Sequence, residues 1–429
     1  MKVIPIEKMP TAVTANRHAV HNWFNFVAGY SPEYVYSVIT EYLEKNDEKI
    51  EKIYDPFAGS ATTNAVANSL GIPSIGVERN PFFYKIGKAK TNAKFVVSVI
   101  DDISQDLIEI YHNDNMRNNL SSFKPSEVWS KDASEFLQKL FEYEDLYFLY
   151  LFKEKVQSYV GEKNEAGYIF LSKILEYVTF AKTDGIYKVP TSKKNNVPII
   201  EAIERTKTDF QMDSEVTVKN NNLAEFIFGS SVDYIPESNS LDLVIFSPPY
   251  LNNFDFAEMT RMQMYFWNEA SSWRDISEKH RNHMIVNTTT ALKLVRDPDI
   301  QEAYKNELPE EVVNAVSPIV DELHAIRKEN FKKKDYYLIV YPYLYQMMKV
   351  ISNSYHGLKL GGEIHIVVSD AAFYGIHVDT EEYLESIMRS VGFSSTRIIR
   401  MRDRGDRWKL EKRKSSGKQL GEFEIIGVK

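Results

Sequence analysis

The sequence predicts an α/β protein whose doubly wound, mostly parallel sheet is interrupted by helical insertions. Residues 53–86 pass from strand to glycine turn, helix and second strand, which is the pattern of a βαβ unit. Leu243 to Phe246 form an apolar run that stops at two prolines, as expected for a strand buried on both faces of a parallel sheet. From Lys88 to Val160 there is no glycine and the apolar spacing is helical, so strand–helix alternation stops there.

These patterns divide the chain into three parts. We predict that residues 1–95 form the N-terminal part of the core and residues 96–222 a mainly helical insertion. Residues 223–429 are predicted to form the C-terminal part of the core. Within this last part, residues 252–334 are predicted to be a helical region on the substrate side of the sheet.

Composition sets limits on the class of protein. The chain has 429 residues, of which 43% are hydrophobic, so it can bury a large core. It contains no cysteine, which excludes disulfides, thiolate metal sites and catalysis by a thiol nucleophile. The net charge of −8 argues against a uniformly basic surface, although a local basic face remains compatible with it. No apolar run is long enough to span a membrane and no signal peptide is evident, so we expect a cytoplasmic protein.

The βαβ unit contains the first candidate ligand site. A strand ends at Asp55, a tight turn passes through Gly59, and a helix from about Thr62 to Leu70 follows. The second strand runs from Ser74 to Val77 and is followed by Glu78. Glu78 lies 19 residues after Gly59, close to the ~20 expected for an acid that binds ribose hydroxyls.

The second candidate site is the turn Ser247-Pro248-Pro249-Tyr250. Its two prolines lack N–H groups and bias the residues before them away from helix, so the strand ends abruptly with unpaired carbonyls. Carboxyl ends of strands are where ligands bind in an open α/β sheet.

The remaining elements follow from helical spacing, caps and turn residues. Ser31 and Pro32 are a good helix start, and Lys182–Thr208 is a polar, basic segment that suits either a polyanion contact or a solvated linker. The other predicted helices are Ser134–Tyr159, Tyr168–Ala181, Met259–Glu269, Trp273–Val286, Glu310–Phe331, Tyr336–Leu358 and Thr380–Val391. The other predicted strands or β-rich segments are Leu223–Phe228, Glu363–Val368 after a turn at Leu358–Gly362, and Ser394–Val428.

The motifs in this order resemble those of DNA amino-methyltransferases. Residues 55–63, DPFAGSATT, resemble that family's S-adenosylmethionine-binding signature, usually written DPFxGSGTT, and Ser247–Tyr250 resembles its catalytic signature. Residues 78–81 are similar to the segment with the ribose-binding acid, and residues 28–32 to the aromatic element before the cofactor loop. Leu358–Gly362 resembles the LKPGG turn of methyltransferase folds. The resemblance covers roughly residues 16–95 and 225–429.

The resemblance implies a Rossmann-like, S-adenosylmethionine-dependent methyltransferase core and a set of site residues. It implies that the substrate is double-stranded DNA with the target base flipped out, and that the partner is a cognate restriction endonuclease or another defence-system protein. No metal is expected, because His18, His21, His280, His283 and His365 do not have metal-ligand spacing. The implied cofactor-binding residues are Tyr30, Asp55, Pro56, Phe57, Ala58, Gly59, Ser60, Thr62, Glu78, Arg79, Asn80 and Ser247, and the implied catalytic residues are Ser247, Pro248, Pro249 and Tyr250.

The chemistry expected at this turn is methyl transfer to an exocyclic amine. Ser247 Oγ and the Pro248 carbonyl are acceptors for the amino protons, which localises the nitrogen lone pair. Tyr250 offers an aromatic face to a flipped base, and Phe254 and Phe256 are weaker candidates for the same pocket. Within the family a serine at the first position usually accompanies N4-cytosine, so Ser247 favours cytosine N4 over the alternative, adenine N6.

Two positions depart from the family pattern. The second glycine of the cofactor loop is replaced by Ala61, and the carboxylate often found after the third strand is replaced by Ser230. Both changes bear on cofactor binding, and they leave open a second alternative, a nucleic-acid-binding homologue without activity. More distant alternatives are RNA or protein amino-methyltransferases. For DNA contact we consider the insertion, the region 252–334 and the basic strip Arg402–Lys418, for which a solvated hairpin is the other interpretation.

Overall fold

The strands that end at the two predicted motifs lie side by side in one sheet. They are seen in a computed structural model, which describes residues 18–24, 29–46, 49–184, 187–213, 222–252, 255–290, 292–403 and 419–429. The strands are β1 (Ile53–Asp55), β2 (Ser74–Glu78), β3 (Ala181–Asp184), β4 (Tyr187–Lys193), β5 (Ala224–Phe228), β6 (Leu241–Phe246), β7 (Leu358–Ser369), β8 (Ala371–Phe373), β9 (Ile376–Val378), β10 (Ser395–Asp403) and β11 (Gly421–Val428).

The central sheet has the strand order β10-β11-β7-β6-β1-β2-β5. Five neighbouring strands, from β7 to β5, are parallel, and β11 runs antiparallel between β7 and β10. Strands β3 and β4 form a separate hairpin, as do β8 and β9. This architecture confirms the predicted fold class, an α/β, Rossmann-like methyltransferase core with a mostly parallel sheet.

The direction in which the sheet grows reverses between β1 and β6. From β1 the chain builds outward to β2 and β5, and it then returns to place β6 against the other side of β1. The loops that leave the carboxyl ends of β1 and β6 therefore diverge and leave a crevice. Ligands bind at such a switch point in open α/β sheets.

Helices cover both faces of the sheet and fill the segment between β2 and β5. In chain order they are α1 (Pro32–Asn46), α2 (Thr62–Ser69), α3 (Pro81–Thr91), α4 (Ala93–His112), α5 (Asp114–Asn118), α6 (Pro125–Val128), α7 (Lys131–Leu137), α8 (Tyr143–Ser158), α9 (Glu162–Val178), α10 (Ile199–Met212), α11 (Phe256–Met259), α12 (Arg261–Phe266), α13 (Trp273–Lys279), α14 (Pro298–Glu307), α15 (Glu310–Glu329), α16 (Tyr337–Gly357) and α17 (Thr380–Val391). Short 3-10 turns occur at His21–Trp23, Leu120–Ser122, Arg281–His283 and Leu292–Leu294. No helix in the described ranges is long and apolar enough to cross a membrane.

The segment Lys182–Thr208 is more ordered than the sequence predicts. Instead of a polar loop it contains most of the β3–β4 hairpin and the first two-thirds of α10. Helix α10 buries Ile199, Ile203 and Phe210 on one face, and this helical spacing outweighs the polar composition of the segment. The prediction of a loop there was wrong, because it gave composition more weight than periodicity.

Four other predicted elements also differ from the structure. The helix predicted at Trp273–Val286 ends at Lys279 and is followed by the 3-10 turn Arg281–His283. The helix predicted at Ser134–Tyr159 is two helices, α7 and α8, and Met259–Glu269 is divided between α11 and α12. The turn predicted at Leu358–Gly362 is the first part of β7, where the pairing with β6 changes register and Gly361 has a φ of 82°. Most of the basic strip Arg402–Lys418 lies outside the described residues.

A buried ionic cluster ties α1 to the sheet. His365 on β7 lies between Glu363 Oε2, 3.1 Å from Nε2, and Glu424 Oε1, 2.8 Å from Nδ1. The hydroxyl of Tyr34 on α1 donates to the same Glu424 oxygen at 2.7 Å. Burial opposes the charge on His365, but the two carboxylates raise its pKa above the usual value. Burial likewise opposes ionisation of both glutamates, and His365 lowers the pKa of each.

We predict that His365→Ala lowers the free energy of unfolding by about 3–5 kcal/mol, because it removes the cation between two buried carboxylates and leaves Glu363 with only the more distant Lys45 Nζ, at 3.6 Å. The raised pKa of His365 means that its contribution is complete below its unfolded value of about 6.5 and is lost as the pH rises through the folded value. The pKa of each glutamate is lowered in the folded protein. Their contribution to stability is therefore complete above their unfolded value of about 4.3 and is lost as the pH falls through the folded value. Urea unfolding of both proteins at several pH values measures the difference, with Tyr34→Phe as a milder control. If His365→Ala lowered the free energy of unfolding only slightly in mildly acidic solution, that result would contradict the role given to the His365 cation.

Candidate active site

A cleft opens at the carboxyl ends of β1, β2, β5 and β6. Its empty volume is about 760 Å³ with the mouth included, within the range of sites for small molecules and cofactors. Its walls come from four loops at the sheet edge and from one segment further along the chain. The lining residues are Pro56, Phe57, Gly59, Val77, Glu78, Arg79, Asn80, Phe83, Gly229, Ser230, Ser231, Ser247, Pro248, Pro249, Tyr250, Phe256, His283, Met284 and Ile285.

The loop after β1 is tightly turned. Asp55 Oδ1 accepts a hydrogen bond from the Phe57 N–H at 2.9 Å, which turns the chain immediately after the strand. Gly59 has a φ of 50° and Ala61 a φ of 65°, so two residues of this loop are left-handed. Alanine in this conformation costs about 1–2 kcal/mol relative to the right-handed region. Ala61 is fully buried and does not line the cleft, so its methyl group does not narrow the ligand space.

Glu78 connects this loop to β2. Its Oε2 accepts from the Gly59 N–H at 2.8 Å, and its Oε1 accepts from the Asn80 N–H at 2.7 Å. Burial raises the pKa of Glu78 to about 7, although the N–H groups of Asn80, Gly59 and Arg79 lower it. A carboxylate has about four lone-pair sites, so Glu78 retains acceptor capacity for hydroxyl groups of a ligand beside these N–H groups.

Tyr30 and Asp55 meet behind the cleft. The Tyr30 hydroxyl donates to Asp55 Oδ2 at 2.9 Å and also hydrogen-bonds Thr63 Oγ1. Burial raises the pKa of Asp55 to about 6, while hydrogen bonds from Phe57, Thr63 and Tyr30 lower it. Neither Tyr30 nor Asp55 lines the cleft. These side chains support the Gly59 loop from behind.

A chain of hydrogen bonds runs from the turn after β6 to the antiparallel strand β11. Ser247 Oγ donates to the Tyr250 hydroxyl at 3.4 Å, and this hydroxyl donates to Glu422 Oε1 at 2.8 Å. Arg402 Nε donates to the other oxygen of Glu422 at 2.6 Å. Glu422 is buried, and its bond fixes the direction in which the Tyr250 side chain points.

The remaining wall of the cleft comes from residues beyond the turn. Asp255 caps α11 by accepting from the Ala257 N–H at 3.0 Å, and it forms a buried ion pair with Arg281 at 2.5 Å. This ion pair holds the 3-10 turn Arg281–His283 beside the helix whose first residue, Phe256, lines the cleft. His283, Met284 and Ile285 then complete the wall.

Gly229, Ser230 and Ser231 line the cleft where the DNA amino-methyltransferases that the sequence resembles often have a carboxylate. Ser230 Oγ accepts from the Val232 N–H at 3.3 Å. Glu78 is the only acidic residue among the described residues that line the cleft. Carboxylate oxygens of Asp379, Glu381 and Glu382 come within 4.8 Å of one another, but these residues do not line it.

The structure brings together ten of the fifteen predicted site residues. The ten that line the cleft are Pro56, Phe57, Gly59, Glu78, Arg79, Asn80, Ser247, Pro248, Pro249 and Tyr250, and the five that do not are Tyr30, Asp55, Ala58, Ser60 and Thr62. Of the two weaker aromatic candidates, Phe256 lines the cleft and Phe254 lies outside the described residues. Sequence reasoning missed His283, Met284 and Ile285, which carry no glycine, proline or motif signal, and Glu422, which lies 172 residues from Tyr250.

Comparison with known proteins gives relatives along nearly the whole chain. The chain is similar to the Type II methyltransferase M.BsoBI of Geobacillus stearothermophilus, with 23% identity over 466 aligned positions that cover 97% of this chain and 85% of that relative. It is also similar to the Type II methyltransferases M.AvaI of Nostoc sp. (strain PCC 7120) and of Anabaena variabilis. Each of these is 21% identical over 409 positions that cover 88% of this chain and 80% of the relative. No protein-family model matches the chain.

We predict that Tyr30→Phe lowers the free energy of unfolding by about 1–3 kcal/mol, because it removes the buried hydrogen bonds that the Tyr30 hydroxyl makes with Asp55 Oδ2 and Thr63 Oγ1. Tyr36 is a matched control, since it is 54% exposed on α1. Tyr36→Phe is expected to change the stability by less than about 0.5 kcal/mol. Urea unfolding measures both variants, and equal losses would contradict the role given to the Tyr30 hydroxyl.

Proposed function

We propose that this chain, which is similar to Type II methyltransferases along nearly its whole length, is a DNA methyltransferase that modifies the exocyclic N4 amine of a flipped cytosine. The observation that carries the proposal is one cleft lined by the Gly59 loop, Glu78 and the Ser247–Tyr250 turn. We assign it to restriction-modification or a related host defence, with a cognate endonuclease or defence protein as partner.

The cleft fits S-adenosylmethionine at its β1–β2 side. Glu78 can accept a hydrogen bond from a ribose hydroxyl with the acceptor capacity that its backbone N–H partners leave free. The left-handed turn at Gly59 lets a ligand approach the backbone closely. When bound, S-adenosylmethionine supplies the electrophilic methyl group.

The turn after β6 then receives the base. The absence of cysteine excludes transfer to cytosine carbon through a thiolate adduct, so a nitrogen is the acceptor. A flipped base needs an aromatic face, which Tyr250 offers, with Phe256 on the same cleft. The Pro248 carbonyl and Ser247 Oγ are the acceptors for the two amino protons.

Glu422 determines how Ser247 can act. An ionised carboxylate only accepts hydrogen bonds, so the Tyr250 proton points to Glu422, and the Ser247 proton is directed to the Tyr250 oxygen. The remaining lone pairs of Ser247 Oγ are thus available to an amino proton. Holding that proton localises the nitrogen lone pair for attack, without a covalent intermediate on the protein.

We predict that Ser247→Ala and Tyr250→Ala each lower the rate of methyl transfer by about 100-fold or more, because each removes a group that positions the base. Cofactor binding is expected to persist, since Glu78 and Gly59 are unchanged and Ser247, although implied to contact the cofactor as well, is proposed to act mainly on the base. Transfer of labelled methyl to DNA and calorimetric binding of the cofactor measure the two properties. Ser240→Ala, at the opposite end of β6, is the matched control. Wild-type rates in both cleft variants would refute the assignment.

We predict that affinity for S-adenosylmethionine rises as the pH increases through about 7, the pKa of Glu78. Protonation of Glu78 at lower pH converts one acceptor oxygen into a hydroxyl group, so the carboxyl group accepts less well from a ribose hydroxyl. Glu78→Gln should bind more weakly and lose this pH dependence. Glu225→Gln, at an exposed position of β5, should retain it. Calorimetric titration over a pH series tests the prediction, and the same pH profile in Glu78→Gln would contradict it.

A further inference from the structure

A basic loop with an exposed aromatic residue joins α15 to α16. We define the basic loop as residues 327–334, with the sequence RKENFKKK, which begins in the last turn of α15. It carries five basic residues and one acid, a net charge of +4, in a chain whose net charge is −8. Phe331 near its centre is 83% exposed, so most of its side chain is accessible to a ligand.

Most of the positive charge in the basic loop is not neutralised. Asp335 engages Arg327 at 2.7 Å and Arg296 at 3.0 Å. In the part of the chain that the structure describes, no ion pair joins Lys328 or Lys332 to a carboxylate. The same holds for Lys333 and Lys334, whose ammonium groups lie over the rings of Tyr374 and Tyr336.

The basic loop lies at the same edge of the sheet as the cleft. The Lys334 N–H donates to the Tyr374 hydroxyl at 2.6 Å, and that hydroxyl donates to the Lys334 carbonyl at 3.0 Å. Tyr374 is in the turn of the β8–β9 hairpin, which follows the carboxyl end of β7. Strand β7 is parallel to β6 and beside it, and β6 leads into Ser247.

A second contact connects the helix after the basic loop to the cleft wall. The N–H of Val286, directly after Ile285, donates to Gln346 Oε1 on α16 at 2.8 Å. Helix α16 begins three residues after the basic loop ends. The basic loop and the cleft wall are thus attached to the same helix.

We propose that the basic loop is a contact surface for duplex DNA, in which its lysines bind backbone phosphates beside the target base and Phe331 packs against the bases. The proposal rests on the proposed function and specifies which surface holds the substrate. Lysines give affinity by releasing counterions, and an exposed aromatic ring packs on bases that flipping unstacks. An otherwise acidic chain needs such a local cationic surface to approach DNA.

The test measures binding of a fluorescent duplex oligonucleotide over a series of salt concentrations. In the triple variant Lys328→Ala, Lys332→Ala and Lys334→Ala, the slope of log affinity against log salt should fall by about 0.9 for each lysine that neutralises a phosphate. Phe331→Ala should lower affinity about tenfold with an unchanged slope, because stacking releases no counterions. The triple Lys→Arg variant should restore the wild-type slope.

The control is Lys49→Ala with Lys52→Ala. These residues precede β1, at the amino ends of the parallel strands, whereas the cleft lies at their carboxyl ends. Cofactor binding should be unchanged in every variant, which shows that the fold is intact. A wild-type slope and affinity in the lysine triple variant would overturn the surface while leaving the proposed function in place. A wild-type protein that neither binds duplex DNA nor transfers methyl groups to it would overturn both.

Discussion

The pairing of β1 with β6 is the constraint on which the rest of the site depends. Ile53 lies opposite Leu243 and Tyr54 opposite Val244, so the loops that contain Gly59 and Ser247 leave the sheet side by side. A slip of one residue would turn every side chain of β6 to the other face. Such a slip would also separate the two motifs.

Asp242 holds this register from the amino end of β6. Its Oδ2 accepts from the N–H groups of Glu51 and Lys52, at 2.7 and 3.0 Å, immediately before β1. Its Oδ1 binds Lys359 Nζ at 2.8 Å, at the start of β7. One buried carboxylate therefore joins β6, β1 and β7 at their amino ends, far from the cleft. Because it fixes the register of these strands, it also fixes where their carboxyl ends lie relative to one another.

Local chemistry explains which parts of the molecule the sequence predicts. The left-handed turn at Gly59, the strand that stops before Pro248 and the acid at the end of β2 are all encoded within a few residues, and the structure brings them to one cleft. The parts that depend on distant partners could not be predicted, since Glu422 reaches Tyr250 from another strand and an ion pair between α11 and a 3-10 turn shapes a wall that no motif indicates. Composition misled at residues 182–208, where polar residues concealed the apolar stripe of α10.

Two residues, Ala61 and Ser230, depart from the pattern of the family that the sequence resembles. The two departures have different structural consequences. Ala61 keeps the left-handed conformation in which glycine is usual, and its methyl group is buried away from the cleft. Ser230 lines the cleft, so the missing carboxylate alters the ligand surface itself. Of the two, the change at Ser230 is therefore the one expected to affect how a cofactor's base is held.

The central claim is that the cleft directs a methyl group to an exocyclic nitrogen of cytosine. Its most direct test is mass spectrometry of nucleosides from DNA incubated with the protein and S-adenosylmethionine carrying a labelled methyl group. We predict label in N4-methylcytosine. Label found only in N6-methyladenine, or no label in DNA under conditions where the cofactor binds, would contradict the claim.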